Sequence, residues 1–97
     1  ESFLVHGSYP NPFNASTRIA YDLPGQGVTE IALYNLRGEK IRDLLREDQN
    51  AGRHQAVWDG ADEWGISVAS GIYFARIEVR MNDGRIHRSR IKLMLVK

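Results

Sequence analysis

Three histidines are the first residues of this chain to consider for catalysis or metal binding. His6, His54 and His87 lie far apart in the sequence, and none has a second histidine or a carboxylate at the spacing of a zinc site. Cysteine is absent, which excludes disulfide bonds and thiolate metal sites. The sequence contains neither a nucleophile elbow nor a phosphate-binding glycine loop. We therefore predict no catalytic residues and no cofactor, and we assign the histidines structural or surface roles.

One acidic cluster stands out between residues 59 and 63. Asp59, Asp62 and Glu63 make it a weak candidate for a calcium site, although it is too short and wrongly spaced for an EF-hand loop. Aspartate and glycine at these positions also favour turns, in which the carboxylate accepts hydrogen bonds from nearby backbone groups. Turn formation is the preferred interpretation. A paired-carboxylate hydrolase site would need a cleft that so small a domain hardly provides.

Two tryptophans flank the acidic cluster. Trp58 ends a short apolar segment, which predicts that it fills the core. Trp64 follows polar residues in a loop, so it is the better candidate for an exposed ring that stacks on a sugar. Its alternative role is a lid that folds back on the domain.

Charge is distributed unevenly along the chain, although the net charge is only +1. Residues 76–97 carry seven bases against two acids, whereas residues 39–63 carry four bases against seven acids. A solvated strand face would explain the basic end, and the functional alternative is contact with an anionic surface or partner. The aromatic residues that nucleic-acid platforms place between their basic residues are missing, so we expect no nucleic-acid partner.

Hydrophobic residues recur with a period of two, which is the pattern of β-strands. Predicted strands cover residues 17–23, 28–36, 39–45, 54–58, 72–81 and 85–96, and residues 46–53 and 59–71 are predicted loops. Short strands with turn signals about every ten residues and no convincing helix predict an all-β, antiparallel sandwich of about seven short strands.

The last two predicted strands form a hairpin whose register follows from its own pattern. A two-residue turn at Asp83 and Gly84 would split the apolar faces of the two strands between opposite sides of the sheet. A three-residue loop, residues 82–84 with Gly84 in a left-handed conformation, keeps those faces together. It predicts that Tyr73 faces Leu93, and that Glu78 faces Arg88.

Length and composition fit one globular domain over residues 1–97, with residues 1–8 as a linker or a first edge strand. The chain is 42% hydrophobic and 26% charged, which is ordinary for such domains. No apolar run approaches the roughly 18 residues of a membrane span, and no signal peptide is recognisable. The sequence starts at Glu1 without methionine, so we expect a piece of a longer protein or a processed one.

Several short motifs in a fixed order resemble the type A C-terminal sorting domains of the bacterial type IX (Por) secretion system. The opening motif is Tyr-Pro-Asn-Pro-Phe-Asn at residues 9–14, with Ala15 where that family usually has proline. Further matching blocks lie at residues 33–41, 51–54, 57–60, 68–74 and 92–97. The same blocks are similar to the Ig-like domain of the flagellar hook-capping protein, but the opening motif and the end of the sequence after the closing strand favour the sorting domain.

This resemblance implies an Ig-like, non-catalytic module that directs secretion and surface attachment of a larger bacterial protein, often a hydrolase. The implied partners are the outer-membrane secretion machinery and anionic lipopolysaccharide or polysaccharide, and the implied location is the cell surface or the medium, reached through the periplasm. On the basic end, we expect the recognition surface at Arg88, Arg90, Lys92 and Lys97. The alternatives are a carbohydrate-binding accessory module of a glycoside hydrolase and a structural Ig-like domain of a flagellar hook cap.

Overall fold

A computed structural model of the chain describes residues 2–97, which form strands, turns and loops without a helix. Its seven strands are β1 (Leu4–Tyr9), β2 (Thr17–Leu23), β3 (Gly27–Asn35), β4 (Lys40–Gln49), β5 (Gly52–Trp58), β6 (Gly71–Met81) and β7 (Ile86–Leu95). All strand pairs are antiparallel. One sheet has the order β1-β2-β5 and the other β4-β3-β6-β7. The predicted all-β sandwich is therefore confirmed.

The core lies between the two sheets and is built by the inward-facing residues of every strand pair. On β2 the alternation of Ile19, Tyr21 and Leu23 is buried, as the period of two predicts. Trp58 is completely buried at the end of β5, and its indole N–H donates to the carbonyl oxygen of Ala61 at 2.9 Å. This bond satisfies the polar atom of a large apolar side chain, so the tryptophan can fill the core without an unpaired donor.

The predicted loop at residues 46–53 is wrong, because β4 continues to Gln49 and β5 already begins at Gly52. Residues 46–49 pair with Gly27–Glu30 on the neighbouring strand β3. Gln49 is buried, and its side-chain oxygen accepts a hydrogen bond of 2.8 Å from the hydroxyl of Tyr21 in the opposite sheet. The polar residues 46–49 thus form a strand because they pair with β3 and because Gln49 makes a buried hydrogen bond.

The predicted register of the β6–β7 hairpin is confirmed. Tyr73 pairs with Leu93, and Glu78 pairs with Arg88. The N–H of Met81 donates to the carbonyl oxygen of Arg85 at 2.8 Å, which leaves residues 82–84 as a three-residue loop. Gly84 has a φ of 94°, a conformation that side chains with a Cβ rarely adopt.

Residues 10–14, which we call the strap, run beside β7 in parallel orientation. Phe13 N–H donates to the carbonyl oxygen of Met94 at 2.8 Å, and Val96 N–H donates to the carbonyl oxygen of Phe13 at 2.9 Å. The side chain of Asn11 replaces a backbone amide, since its Nδ2 donates to the carbonyl oxygen of Lys92 and its Oδ1 accepts from Met94 N–H, each at 2.9 Å. The opening motif of the sequence thus covers the outer edge of β7 along the C-terminal half of that strand.

Phe13 anchors the strap, because its side chain is only 2% exposed. Its ring lies 5.5 Å from that of Trp58. Both X-Pro bonds at the start of the strap, Tyr9–Pro10 and Asn11–Pro12, are cis.

Candidate functional site

The outer face of the terminal hairpin carries the basic residues that the sequence marked as a recognition surface. Arg88, Arg90 and Lys92 occupy alternate positions of β7, so their side chains share the solvent face of the four-stranded sheet. Lys97 lies beyond the end of β7, where its backbone N–H donates to Ser70 Oγ at 3.0 Å. The structure therefore places three of the four predicted residues in one line and the fourth past the end of that line.

Arg76 of β6 joins this surface because it lies directly opposite Arg90. Like charges in this arrangement repel each other, and neither arginine forms a salt bridge within residues 2–97. The nearby acid Glu78 is shared by Arg88 at 3.7 Å and Arg80 at 3.9 Å. The pair Arg76 and Arg90 is thus a local excess of positive charge.

The acid at the margin of this surface is also engaged. Asp43 Oδ1 lies 3.0 Å from Lys40 Nζ, and this hydrogen bond, together with the negative charge of Asp43, raises the pKa of Lys40. This carboxylate therefore pairs with Lys40 and not with Arg76.

Two aromatic rings support the arginine pair. The guanidinium carbon of Arg76 lies 5.5 Å from the ring centre of Tyr34, and that of Arg90 lies 4.9 Å from the ring centre of Phe74. Such contacts favour planar guanidinium groups over aromatic faces and hold the arginines in place. A shallow depression beside them is lined by both rings and by Leu36, whose side chain is 68% exposed. We name Tyr34, Leu36, Phe74, Arg76 and Arg90 the arginine–aromatic patch.

Sequence reasoning did not find the aromatic members of this patch. Tyr34 belongs to β3 and Phe74 to β6, and they face each other only because these strands, 40 residues apart, are neighbours. The sequence did contain a signal for Phe74. It is the neighbour of the inward-facing Tyr73 on the same strand, so the alternation of side chains predicts that it faces outward.

The three carboxylates of the acidic cluster accept hydrogen bonds from separate sets of donors. Asp59 Oδ1 accepts hydrogen bonds from Arg42 Nη1 at 2.9 Å and from Ala61 N–H at 3.1 Å. Asp62 Oδ1 accepts from two backbone amides at 2.9 Å, and Glu63 Oε1 accepts from a backbone amide of β4 at 2.8 Å. Across residues 2–97 there is no grouping of three metal-ligating side chains. The structure thus does not gather the weak calcium candidates: Asp59 and Asp62 stabilise turns, and Glu63 binds the backbone of β4.

Trp64 lies on the surface with 81% of its side chain exposed, so it does not fold back as a lid. Its backbone N–H is fixed by Asp62 Oδ1, which positions the start of the side chain on a structured turn. Ile66, two residues later, is also exposed. The ring is therefore accessible for stacking on a sugar, and glycan binding by Trp64 stays a prediction.

Each histidine has its own local surroundings. His6 Nε2 lies 2.8 Å from Asp22 Oδ2, and His54 Nε2 lies 2.7 Å from the carbonyl oxygen of Asn50. The His87 ring stacks on Phe3 at 5.5 Å. These contacts lie on different parts of the sandwich.

Within residues 2–97 the structure has no helix of the length and hydropathy that crossing a membrane requires.

Comparison with solved structures finds similar folds in several proteins. The dimeric latent PorU from Porphyromonas gingivalis aligns with a TM-score of 0.76 at 19% identity, over 97% of this chain and 9% of the PorU chain. FlgD from P. aeruginosa aligns with a TM-score of 0.68 at 17% identity, over 97% of this chain and 78% of that one. PorZ, described as an essential bacterial surface component of the type-IX secretion system of Porphyromonas gingivalis, aligns with a TM-score of 0.56 at 18% identity, over 96% of this chain and 11% of that one.

At these identities the likeness shows the fold alone. The chain spans only about a tenth of the PorU and PorZ chains, so it is similar to one small part of each. No curated protein matches it by sequence. The family model described as "FlgD Ig-like domain", however, matches residues 12–83, which are most of the chain. That match and the Ig-like arrangement of the two sheets lead to one conclusion: the chain belongs to the FlgD Ig-like domain family.

Proposed function

We propose that residues 1–97 are a single, non-catalytic module that directs secretion and surface attachment of a larger bacterial protein, in the manner of the type A sorting domains of the type IX system. The motif order of the sequence supports this proposal, and so does the similarity of the fold to parts of PorU and PorZ. The passenger is a secreted protein such as a hydrolase. The module passes through the periplasm and the outer membrane to the cell surface or the medium.

The observation that carries the proposal is the unpaired basic surface on the terminal hairpin. Arg76, Arg90 and Lys92 lie on the outer face of β6 and β7 and lack a carboxylate partner within residues 2–97. A patch of one charge on a rigid sheet attracts partners of the opposite charge and orients them before contact. The partners we propose are the outer-membrane secretion machinery and anionic lipopolysaccharide.

Deletion of residues 92–97 would be a poor test of this function. It would remove Leu93 and Leu95, which are fully buried, and the backbone partners of the strap. Loss of secretion would then report unfolding rather than loss of recognition.

Charge reversal on the exposed surface separates the two effects. The double variant Arg90→Glu with Lys92→Glu, fused behind a periplasmically exported reporter in a type IX-competent host, should leave the reporter in the periplasm. A matched control with Arg18→Glu and Arg53→Glu changes the net charge equally at exposed positions of the three-stranded sheet and should be secreted normally. Secretion of the first variant at the level of the wild type would contradict the proposal.

A second candidate function is that of a structural Ig-like domain in a flagellar hook cap. The family match and the similarity to FlgD, of which this chain covers 78%, favour it. The full gene distinguishes the two proposals, because a signal peptide and a catalytic domain preceding this module would exclude a hook-cap protein. Conversely, restoration of hook assembly in a strain lacking its own cap would support the flagellar role.

A further inference from the structure

The outer edge of β7 is only half covered. β7 is the last strand of its sheet, so it pairs with β6 on one side alone. On the other side the strap binds backbone groups of Lys92, Met94 and Val96. β1 passes close by, and Phe3 just before it stacks on His87, but β1 pairs with β2 and forms no ladder with β7 in residues 2–97.

The strap also shows which backbone groups of β7 point outward. Along β7 and just past its end, the strap binds backbone groups of even-numbered residues only, and Met94 contributes both its N–H and its carbonyl oxygen. Because the direction alternates along a strand, the backbone groups of Ile86, Arg88 and Arg90 point to the same edge. They have no backbone partner there within residues 2–97. Residues 86–90 are therefore an open edge of the kind that accepts an additional strand.

The side chains beside this edge specify the charge of such a strand. Across the sheet, the row at Arg88 contains the acids Glu78 and Glu30, whereas the row at Arg90 contains Arg76 and Ala32. A strand added to β7 would place one residue directly beside Arg90. A carboxylate at that position would neutralise a row with two guanidinium groups, and each guanidinium is suited to bind a carboxylate through two hydrogen bonds.

We propose that the open edge of β7 takes up an extended segment of a partner protein, which pairs with residues 86–90 and sets an acidic side chain beside Arg90. This inference rests on the proposed function, since it specifies how a protein of the secretion machinery reads the surface. Side chains that alternate with the acid would face the half-buried Ser89 and Ile91, so they are small or apolar. A second copy of this chain is a poor partner, because β7 beside β7 would bring arginines against arginines.

The test supplies the strand in the same molecule. A segment that alternates threonine and valine with one central glutamate is joined to Lys97 by a glycine-serine linker, and NMR measures amide hydrogen exchange along β7. In the unmodified 97-residue chain, the amides of Arg88 and Arg90 should exchange fast while those of Ser89 and Ile91 are protected by β6. With the glutamate segment, exchange at Arg88 and Arg90 should slow by about tenfold or more.

Two controls make the outcome specific. A segment with lysine in place of the glutamate should give little protection. Arg88→Pro should abolish protection of the Arg90 amide by the glutamate segment, because it removes an outward N–H without removing a bond to β6, whereas Arg88→Ala should retain it. Protected amides at Ser89 and Ile91 show in each case that the hairpin is intact.

The inference is overturned if Arg88 and Arg90 are already protected in the unmodified chain, or if the glutamate and lysine segments protect equally or not at all. These results concern the edge alone. The module can fail them and still lose secretion on charge reversal, in which case the proposed function stands without this mode of contact.

Discussion

Asn11 fastens the strap to β7, and its replacement by alanine removes two hydrogen bonds without touching the core. Both bonds join side-chain atoms of Asn11 to backbone groups of the terminal strand, at Lys92 and Met94, each at 2.9 Å. The side chain itself is exposed, so its removal creates no cavity. The change therefore isolates the contribution of polar contacts between the two ends of the chain.

The expected loss follows from those two bonds. A typical hydrogen bond contributes about 1 kcal/mol net, so their removal predicts a free energy of unfolding lower by up to about 2 kcal/mol. Water can reach the released backbone groups at this edge, so no desolvation penalty is added and about 1–2 kcal/mol is the expected range. For a domain of this size the melting temperature should fall by about 10 °C.

Urea unfolding of Asn11→Ala measures the free energy, and amide exchange locates the effect. The Met94 amide should exchange faster, while that of Leu93, which faces β6, should change only with global stability. Asn14→Ala is the matched control, because it removes a single bond of 3.1 Å to the carbonyl oxygen of Val96 and should cost about half as much. If Asn11→Ala lies within about 0.3 kcal/mol of the wild type, or if Met94 exchange is unchanged, the side chain does not hold the strap.

Three further predictions concern other parts of the sandwich. Trp64→Ala should leave the free energy of unfolding within about 0.5 kcal/mol of the wild type, because the ring is exposed; a carbohydrate-binding role requires it to weaken retention in affinity electrophoresis with polysaccharide, and a wild type retained by no glycan would eliminate that role. The hydrogen bond from Arg53 lowers the pKa of Asp22 below its ordinary value of 3.8. This interaction therefore stabilises the folded state at pH values above 3.8, and the stabilisation is lost as the pH falls through the lowered pKa. Asp22→Asn should therefore flatten the acid part of the stability profile in urea unfolding at low salt, and an unchanged profile would count against this interaction. Gly27→Ala should destabilise by about 1–3 kcal/mol, because its Cβ would lie 2.6 Å from the carbonyl oxygen of Arg80; a neutral result in thermal unfolding would show that β3 and β6 can separate there.

Strand positions were predictable where alternation was clear and wherever a turn was local. The faces of β2 and the register of the β6–β7 hairpin follow from neighbouring residues and from loop length. The polar residues 46–49 gave no such pattern. They form a strand because β3 supplies hydrogen-bond partners and because Gln49 binds the hydroxyl of Tyr21 in the core.

The candidate site was predictable only along one strand. Arg88, Arg90 and Lys92 alternate in the sequence, so their common face follows from the period of two. The rings of Tyr34 and Phe74 beneath the arginines belong to other positions of the sheet, and the pairing of β3 with β6 brings them together.

The sequence by itself determined an all-β sandwich, its hydrophobic faces and a basic terminal hairpin, because alternation, turn residues and charge are local properties of the chain. The contact between the strap and β7 could be seen only in the tertiary structure. Asn11 and Lys92 are 81 residues apart, and their contact depends on the closure of both sheets around Phe13. That closure covers one half of the β7 edge and leaves the other half, beside Arg90, open to a partner.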